Sequence, residues 1–251
     1  MMFNKNIKII QSKPFTVFKC ENFLKQDHYE EIRNNFPKHE DVLNLYTNKI
    51  SSGSVSFSSR SKYYELLTKH RSLRKLHNII MGDDFLNFFY KYFFSQFIKS
   101  RFKNPIQLIR LLRPYKRKEI NNKSLIRYFI NSVEVTIQYS FIPNCNFLNP
   151  HTDSQGKLLS LMLYFPDGVN KNEVNYGTQF WNSNLKSFHS NHQIGDLANE
   201  FKKNYTKTFK SLFEKNVLYG FVRNNQSWHS VEPIFISDSY VRKSININFH
   251  F

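Results

Sequence analysis

The sequence predicts an α+β fold, and the change of pattern near residue 130 is the main reason. Before that point apolar side chains recur at helical spacing. From residue 131 short β-rich runs such as VEVTIQYSF, KLLSLMLYF and SININFHF are separated by Asn, Gly, Pro and Ser. Such runs favour a sandwich or jelly roll over strand–helix–strand units. We expect one domain, with mainly helical support at 1–130 and a double-stranded β-helix (jelly roll) core at 131–251.

The helical half is predicted to contain a strand-like run and a helix within 13–35, followed by a loop or weak strand at 51–60. Two further helices are expected at 62–80 and 83–100. The second carries one broad aromatic face, which indicates core packing rather than a cofactor site. This face consists of Phe85, Phe88, Phe89, Tyr92, Phe93 and Phe97.

Several features of the composition exclude other classes of protein. Two cysteines, Cys20 and Cys145, are too few for a disulfide scaffold or a structural zinc site. The first residues lack the apolar core of a secretory signal, and the longest apolar stretch, 85–98, is shorter than a membrane span and contains Lys91. We therefore expect a soluble, cytoplasmic protein.

The formal net charge of +17 is concentrated between Lys99 and Arg127. This stretch has ten basic residues against one acidic residue, Glu119. It predicts either a binding face for an anionic substrate or a nucleic acid, or only a solvated basic surface. The ten are Lys99, Arg101, Lys103, Arg110, Arg113, Lys116, Arg117, Lys118, Lys123 and Arg127.

Metal-ligand chemistry is indicated by His151 and Asp153, which stand two residues apart before a predicted strand. The twofold period of a strand places both side chains on one face. With a second imidazole from a distant strand they form the facial triad of non-haem Fe(II) sites. We select His229, in NQSWHSVEP, as that second imidazole. His189 and His192 fall in a predicted surface loop. His250 lies in the final predicted strand but comes after the arginine of that strand, Arg242, rather than before it.

Arg242 and Ser244 share one face of the final predicted strand. Ile245, Ile247 and Phe249 form its other face. A guanidinium binds a carboxylate through two parallel hydrogen bonds, so a dicarboxylic cosubstrate is a suitable partner.

The order of these motifs makes the signal specific. His-x-Asp is followed by a strand, then YGTQFW, then SWHSV, then RKS thirteen residues after the histidine. In this order the chain resembles the 2-oxoglutarate/Fe(II)-dependent oxygenase superfamily, most closely its prolyl-4-hydroxylase-like branch, over roughly 131–251. Tyr176 departs from the family pattern, since a first glycine is common there, and this leaves the roles of Gln179 and Trp181 open.

The resemblance implies a dioxygenase that uses Fe(II), 2-oxoglutarate and O2. His151, Asp153 and His229 would bind iron, and Arg242 and Ser244 would bind the far carboxylate of 2-oxoglutarate. Tyr139 resembles a tyrosine that contacts 2-oxoglutarate in related enzymes, with a core aromatic as the alternative. Because related halogenases lack the carboxylate, Asp153 implies hydroxylation of a C–H bond.

The substrate is left open by the sequence. We expect a small or carrier-linked substrate, anionic if the basic stretch serves it, with a peptidyl proline as the alternative. A rival from another class is a nucleic-acid-binding protein that has lost catalysis on the same scaffold. A cupin-like zinc or manganese protein is a further alternative, but it gives Arg242 no role.

Overall fold

The computed structural model describes residues 2–43, 54–56, 60–101, 105–112, 133–168, 170–183 and 196–250. Within these residues the chain forms a mixed helical and β structure with two antiparallel sheets. The predicted change of texture is confirmed, since helices dominate the first half and strands the second. No helix in this described part is both long enough and apolar enough to cross a membrane.

The described residues of the first half form three strands and six helices. The strands are β1 (Lys8–Gln11), β2 (Val17–Cys20) and β3 (Ser54–Ser56). The helices are α1 (Gln26–Asn34), α2 (His39–Leu43), α3 (Arg60–Lys69), α4 (Arg71–Ile80), α5 (Asp83–Arg101) and α6 (Pro105–Leu112).

The prediction of one continuous helix at 62–80 is wrong in one respect. It is divided at His70, whose extended backbone (φ −123°, ψ 100°) interrupts the helical hydrogen bonds and separates α3 from α4.

Besides a 3-10 helix at Lys171–Asn175, the described residues of the second half form eight strands and one α-helix. They are β4 (Glu134–Pro143), β5 (Leu148–His151), β6 (Lys157–Tyr164), β7 (Gln179–Asn182), α7 (Asp196–Asn204), β8 (Thr206–Lys210), β9 (Leu218–Val222), β10 (His229–Val231) and β11 (Val241–His250). The large sheet has the order β1-β2-β9-β6-β11-β4-β3, and the small sheet has the order β5-β10-β7-β8.

The main core lies between the helices and one face of the large sheet. Alternation along β11 directs Ile245, Ile247 and Phe249 into this core. Phe249 meets the rings of Phe85 and Phe89 on α5, with centroids 6.2 and 6.1 Å away. Phe85, Phe89, Phe93 and Phe97 of the aromatic face predicted for α5 therefore pack in the core, whereas Tyr92 is 42% exposed. The opposite face of β11, with Arg242 and the residues of its parity, is left for the cavity described below.

Candidate metal centre and cavity

Two strands of the small sheet bring His151 and His229 together. β5 and β10 pair antiparallel with His229 directly opposite His151. Cross-strand partners carry their side chains on the same face of a sheet. The two imidazole centroids are accordingly 4.3 Å apart, although 77 residues separate the histidines along the chain.

Each imidazole is oriented by a backbone carbonyl of its own segment. Nδ1 of His151 lies 2.7 Å from the carbonyl oxygen of Asn149, and Nδ1 of His229 lies 3.0 Å from that of Ser227. A carbonyl only accepts hydrogen bonds, so both Nδ1 atoms carry the proton. In the neutral rings this leaves the lone pair on Nε2, which is the arrangement that metal-binding histidines require.

Asp153 supplies the carboxylate and is held on both oxygens. Oδ1 accepts a hydrogen bond from Nζ of Lys157 at 2.7 Å, and Oδ2 accepts one from Oγ of Ser160 at 2.5 Å. Burial raises the pKa of Asp153, but the charge and hydrogen bond of Lys157, together with the nearby imidazoles of His229 and His151, outweigh that effect and hold the pKa well below its ordinary value. The group is therefore an anionic ligand at physiological pH.

These three residues fit a divalent metal ion. Their ligand atoms lie within 4.8 Å of one another, and all three side chains are largely buried. A metal at about 2.1 Å from each would bring neighbouring ligand atoms to about 3 Å, so binding draws the triad together. Two imidazoles and one carboxylate are the donor set of non-haem Fe(II) sites with open coordination positions. The structure therefore brings the three residues predicted as metal ligands into one cluster.

Arg242 is buried on β11 and fixed by three kinds of contact. Its Nε donates to the carbonyl oxygen of Tyr176 at 2.7 Å, and a terminal nitrogen donates to Oγ of Ser244 at 3.5 Å. The guanidinium lies 5.0 Å from the ring centroids of Tyr164 and Phe213. Burial lowers the pKa of Arg242 from its usual value. Such a desolvated, oriented cation is well suited to a carboxylate.

One cavity of about 460 Å³ connects the metal triad to Arg242. His151, Asp153 and His229 line it together with Arg242 and Thr178. Thr178 is itself tied to the hydroxyl of Tyr164 at 2.8 Å. Ser244 does not line the cavity; it contacts Arg242 from the side and supports its orientation.

Tyr139 is the predicted site residue that the structure places elsewhere. Its side chain is fully buried in the helical core, where its ring stacks on Tyr63 at 5.8 Å and meets Phe36 at 6.1 Å. Tyr139 pairs with Ile245 of β11, and both belong to the apolar face of the sheet. Its neighbours Gln138 and Ser140 line the cavity instead. The cosubstrate role predicted for Tyr139 is wrong because the strand parity directs it away.

The other histidines and the YGTQFW residues have separate positions. His250 contacts Oγ1 of Thr136 at 3.0 Å, whereas His189 and His192 lie outside the described residues.

Trp181 donates from Nε1 to Oγ of Ser230 at 2.9 Å, and Gln179 accepts from the same hydroxyl at 3.1 Å. The pair therefore braces β7 against β10.

Three residues near Asp153 were missed by the sequence arguments. Lys157 and Ser160 hold the carboxylate, and the buried Arg223 donates from Nε to the backbone carbonyl of Asp153 at 3.1 Å. Ser160 lies in a strand that is buried on both faces, so no alternation pointed to it. Lys157 lies four residues from Asp153, which is the single local signal available.

Much of the predicted basic stretch lies outside the residues that the structure describes. Lys103 and the six basic residues from Arg113 to Arg127 lie outside the described residues. Arg101 is buried and donates to the carbonyl oxygen of Lys157. At least this residue therefore belongs to the interior rather than to a basic surface.

Structural comparison finds similar proteins among 2-oxoglutarate/Fe(II) oxygenases. They include a Pseudomonas putida prolyl-4-hydroxylase (16% identity, 47% of this chain and 49% of that chain, TM-score 0.28). Prolyl 4-hydroxylase from Phytophthora capsici is 11% identical over 93% of this chain and 58% of that chain (TM-score 0.49). The carbocyclase SnoK of nogalamycin biosynthesis is 12% identical over 93% and 79%, respectively (TM-score 0.47).

The chain thus spans about half the length of the Pseudomonas enzyme and under two thirds of the Phytophthora enzyme. These similarities, all at low identity, are to the same group of proteins, prolyl hydroxylases among them, that the motif order resembles. No protein-family model and no curated protein matches the chain.

Proposed function

We propose that the chain is an Fe(II)- and 2-oxoglutarate-dependent dioxygenase that hydroxylates a C–H bond of a small or carrier-linked substrate. One observation carries this proposal: the metal triad and a buried, oriented guanidinium line the same cavity. In this proposal the two facing sheets correspond to a double-stranded β-helix.

Arg242 favours 2-oxoglutarate over other metal-dependent chemistry. The cosubstrate carries a keto acid at one end for the metal and a carboxylate at the other for the guanidinium. Thr178 lines the cavity as well and offers a hydroxyl near the Arg242 end through its contact with Tyr164. A zinc or manganese protein of cupin type would have no use for a desolvated cation in this position, since burying it costs free energy unless it is paired.

The protein residues have distinct tasks in this reaction. His151, Asp153 and His229 would hold Fe(II), which supplies O2 activation coupled to decarboxylation of 2-oxoglutarate when bound. Arg242 would orient the cosubstrate. Because Asp153 occupies the carboxylate position, hydroxylation is the expected outcome rather than halogenation.

A metal and cosubstrate titration tests the proposal. Mn(II) replaces Fe(II) under anaerobic conditions, and calorimetry then measures 2-oxoglutarate binding to the loaded protein. We expect binding of one metal and one 2-oxoglutarate, and O2-dependent succinate release with Fe(II). Asp153→Ala should abolish both metal binding and succinate release, since it removes the anionic ligand.

Ser154→Ala is the matched control, because Ser154 also lines the cavity beside Asp153 but is exposed and is not one of the clustered ligands. It should retain metal binding. Melting curves of both variants check that each one folds. Wild-type metal affinity and succinate release in a folded Asp153→Ala protein would contradict the proposed site.

A further inference from the structure

A row of uncharged polar side chains lines the cavity on the large sheet. Gln138 and Ser140 come from β4, and Asn246 and Asn248 come from β11. The antiparallel register places Ser140 opposite Ser244 and Gln138 opposite Asn246. We call Gln138, Ser140, Asn246 and Asn248 the amide row. All four side chains point away from the apolar core because they have the opposite parity to Tyr139 and Ile245.

The amide row has hydrogen-bonding capacity that the described part of the protein does not use. None of its four side chains makes a hydrogen bond to another described residue, although Asn248 is only 5% exposed. Some other polar groups of the cavity are paired, as Asp153 is with Ser160 and Thr178 with Tyr164, whereas the hydroxyl of Thr152 is not. Their donor and acceptor atoms are open to the cavity rather than sealed inside the protein. A bound ligand can therefore reach them in place of water.

The amide row lies beside the metal triad. Asn248 pairs across strands with Ser160, whose hydroxyl bonds Asp153, and Asn246 pairs with Met162. Neighbouring strands are about 4.8 Å apart, so Asn246 and Asn248 lie one strand from the Asp153 support and Gln138 lies two strands away. A molecule bound by the row would therefore present its C–H bonds next to the metal.

The cations of the described cavity lining are already engaged, so they favour a neutral ligand at this row over an anion. These cations are Lys157, which is bonded to Asp153, and Arg242, which serves the cosubstrate in the proposed function. The row itself carries no charge. Carboxamides and hydroxyls, which both donate and accept, match groups that also do both. An alcohol hydroxyl both donates and accepts hydrogen bonds at one oxygen atom.

We propose that the amide row binds an uncharged polyol about the size of one sugar ring, and that this molecule is the substrate. The inference rests on the proposed function. After 2-oxoglutarate is accommodated, a cavity of about 460 Å³ leaves room for one ring rather than for a longer polymer. The reaction converts the polyol, 2-oxoglutarate and O2 into succinate, CO2 and a polyol in which one C–H bond has become C–OH, with one oxygen atom entering succinate and the other the new hydroxyl. Where that carbon already bears a hydroxyl, the resulting geminal diol loses water and leaves a carbonyl group.

Matched pairs of neutral and anionic compounds test the inference. D-Glucose, D-ribose and myo-inositol are compared with glucose 6-phosphate, ribose 5-phosphate and inositol 1-phosphate. Binding to the full chain loaded with Mn(II) and 2-oxoglutarate is followed by saturation-transfer NMR, and succinate release is measured with Fe(II). We expect at least one neutral member to bind and to stimulate succinate release more strongly than its phosphate.

Variants of the row locate the binding. Asn246→Leu and Asn248→Leu keep side-chain size but remove the donors and acceptor, so affinity for the neutral compound should fall about 10-fold or more. Thr136→Val is the control, since Thr136 lies on the same face of β4 opposite Asn248 but is bonded to His250 rather than lining the cavity. It should bind like the wild-type protein.

Each alternative outcome contradicts the inference. Stronger binding of the phosphates, binding of no member of either panel, or unchanged affinity in both folded Leu variants would overturn the amide row as a polyol site. If the wild-type chain binds no metal and no 2-oxoglutarate, the proposed function fails, and the polyol inference fails with it. The two failures are distinguishable because metal and 2-oxoglutarate binding are measured before any polyol is added.

Discussion

Replacing Arg242 with Met isolates the contribution of the guanidinium to cosubstrate binding. Arg242 is 3% exposed and fills a slot against the rings of Tyr164 and Phe213. Met has an unbranched side chain that fills much of the same apolar slot, so the substitution removes the charge and the fork with little change of packing. The carbonyl of Tyr176 and the hydroxyl of Ser244 lose a donor.

The magnitude follows from the hydrogen bonds that 2-oxoglutarate would lose. A hydrogen bond to a charged group contributes about 1.5–3 kcal/mol, which corresponds to a roughly 10- to 150-fold weaker Kd. Arg242→Lys retains a charge but not the planar fork, so its loss should be smaller than that of Arg242→Met. Metal affinity should be unchanged in both variants, because Arg242 is not one of the three clustered ligands.

Calorimetry on the Mn(II)-loaded protein measures both constants. The metal is titrated first and 2-oxoglutarate second, and a melting curve establishes that each variant is folded. An unchanged Kd for 2-oxoglutarate in Arg242→Met would refute the assignment and require a different basic anchor. A loss of metal binding would show that the substitution disturbs the triad rather than the cosubstrate.

Three further substitutions test the geometry. Tyr139→Phe should leave the 2-oxoglutarate Kd unchanged, because Tyr139 lies in the helical core; a 10-fold increase measured by calorimetry would contradict that position. Gly177→Ala should lower the free energy of unfolding in urea by about 3 kcal/mol or more, since its Cβ would lie 1.8 Å from the carbonyl oxygen of Ser211, whereas Gly156→Ala meets nothing within 4 Å and should be neutral. Burial raises the pKa of Glu232, but hydrogen bonds from Lys207, Lys210 and Gln179 lower it by more, so that the pKa falls from 4.5 to about 2. Its ionised form therefore stabilises the fold above pH 4.5, and the stability difference between wild type and Glu232→Gln should shrink as pH falls from 4.5 toward 2; a constant difference would contradict the ion pairs.

The metal triad was predictable because its signal is both local and ordered. A twofold period relates His151 to Asp153, and Trp228–His229 and Arg242 follow in the order typical of the resembling family. What the sequence did not contain was the register that sets His229 against His151. That register depends on two short strands separated by most of the β half, and short strands have little pattern of their own.

The error at Tyr139 has a physical cause that the sequence already contained. Val135, Ile137, Tyr139 and Phe141 alternate with polar residues in β4, so parity alone assigns Tyr139 to the core face. The family resemblance outweighed this pattern in the prediction. β8 was missed for the opposite reason, since TKTFK is largely exposed and polar and shows no clear alternation.

The residues of the proposed site lie on both sheets. The hydrogen bond from Ser160, on the large sheet, to Asp153, next to the small sheet, links the two sets. The histidines belong to the small sheet, whereas Arg242 and the amide row belong to the large sheet. In the proposed function, the distance from the metal triad to Arg242 is thus set by the gap between the two sheets. A substitution in the packing layer between them, at Phe180 or Phe221 for example, would misplace the two reactants relative to each other while leaving every ligand in its own local geometry. If the proposed function is correct, activity is therefore sensitive to residues that touch neither the metal nor the substrate.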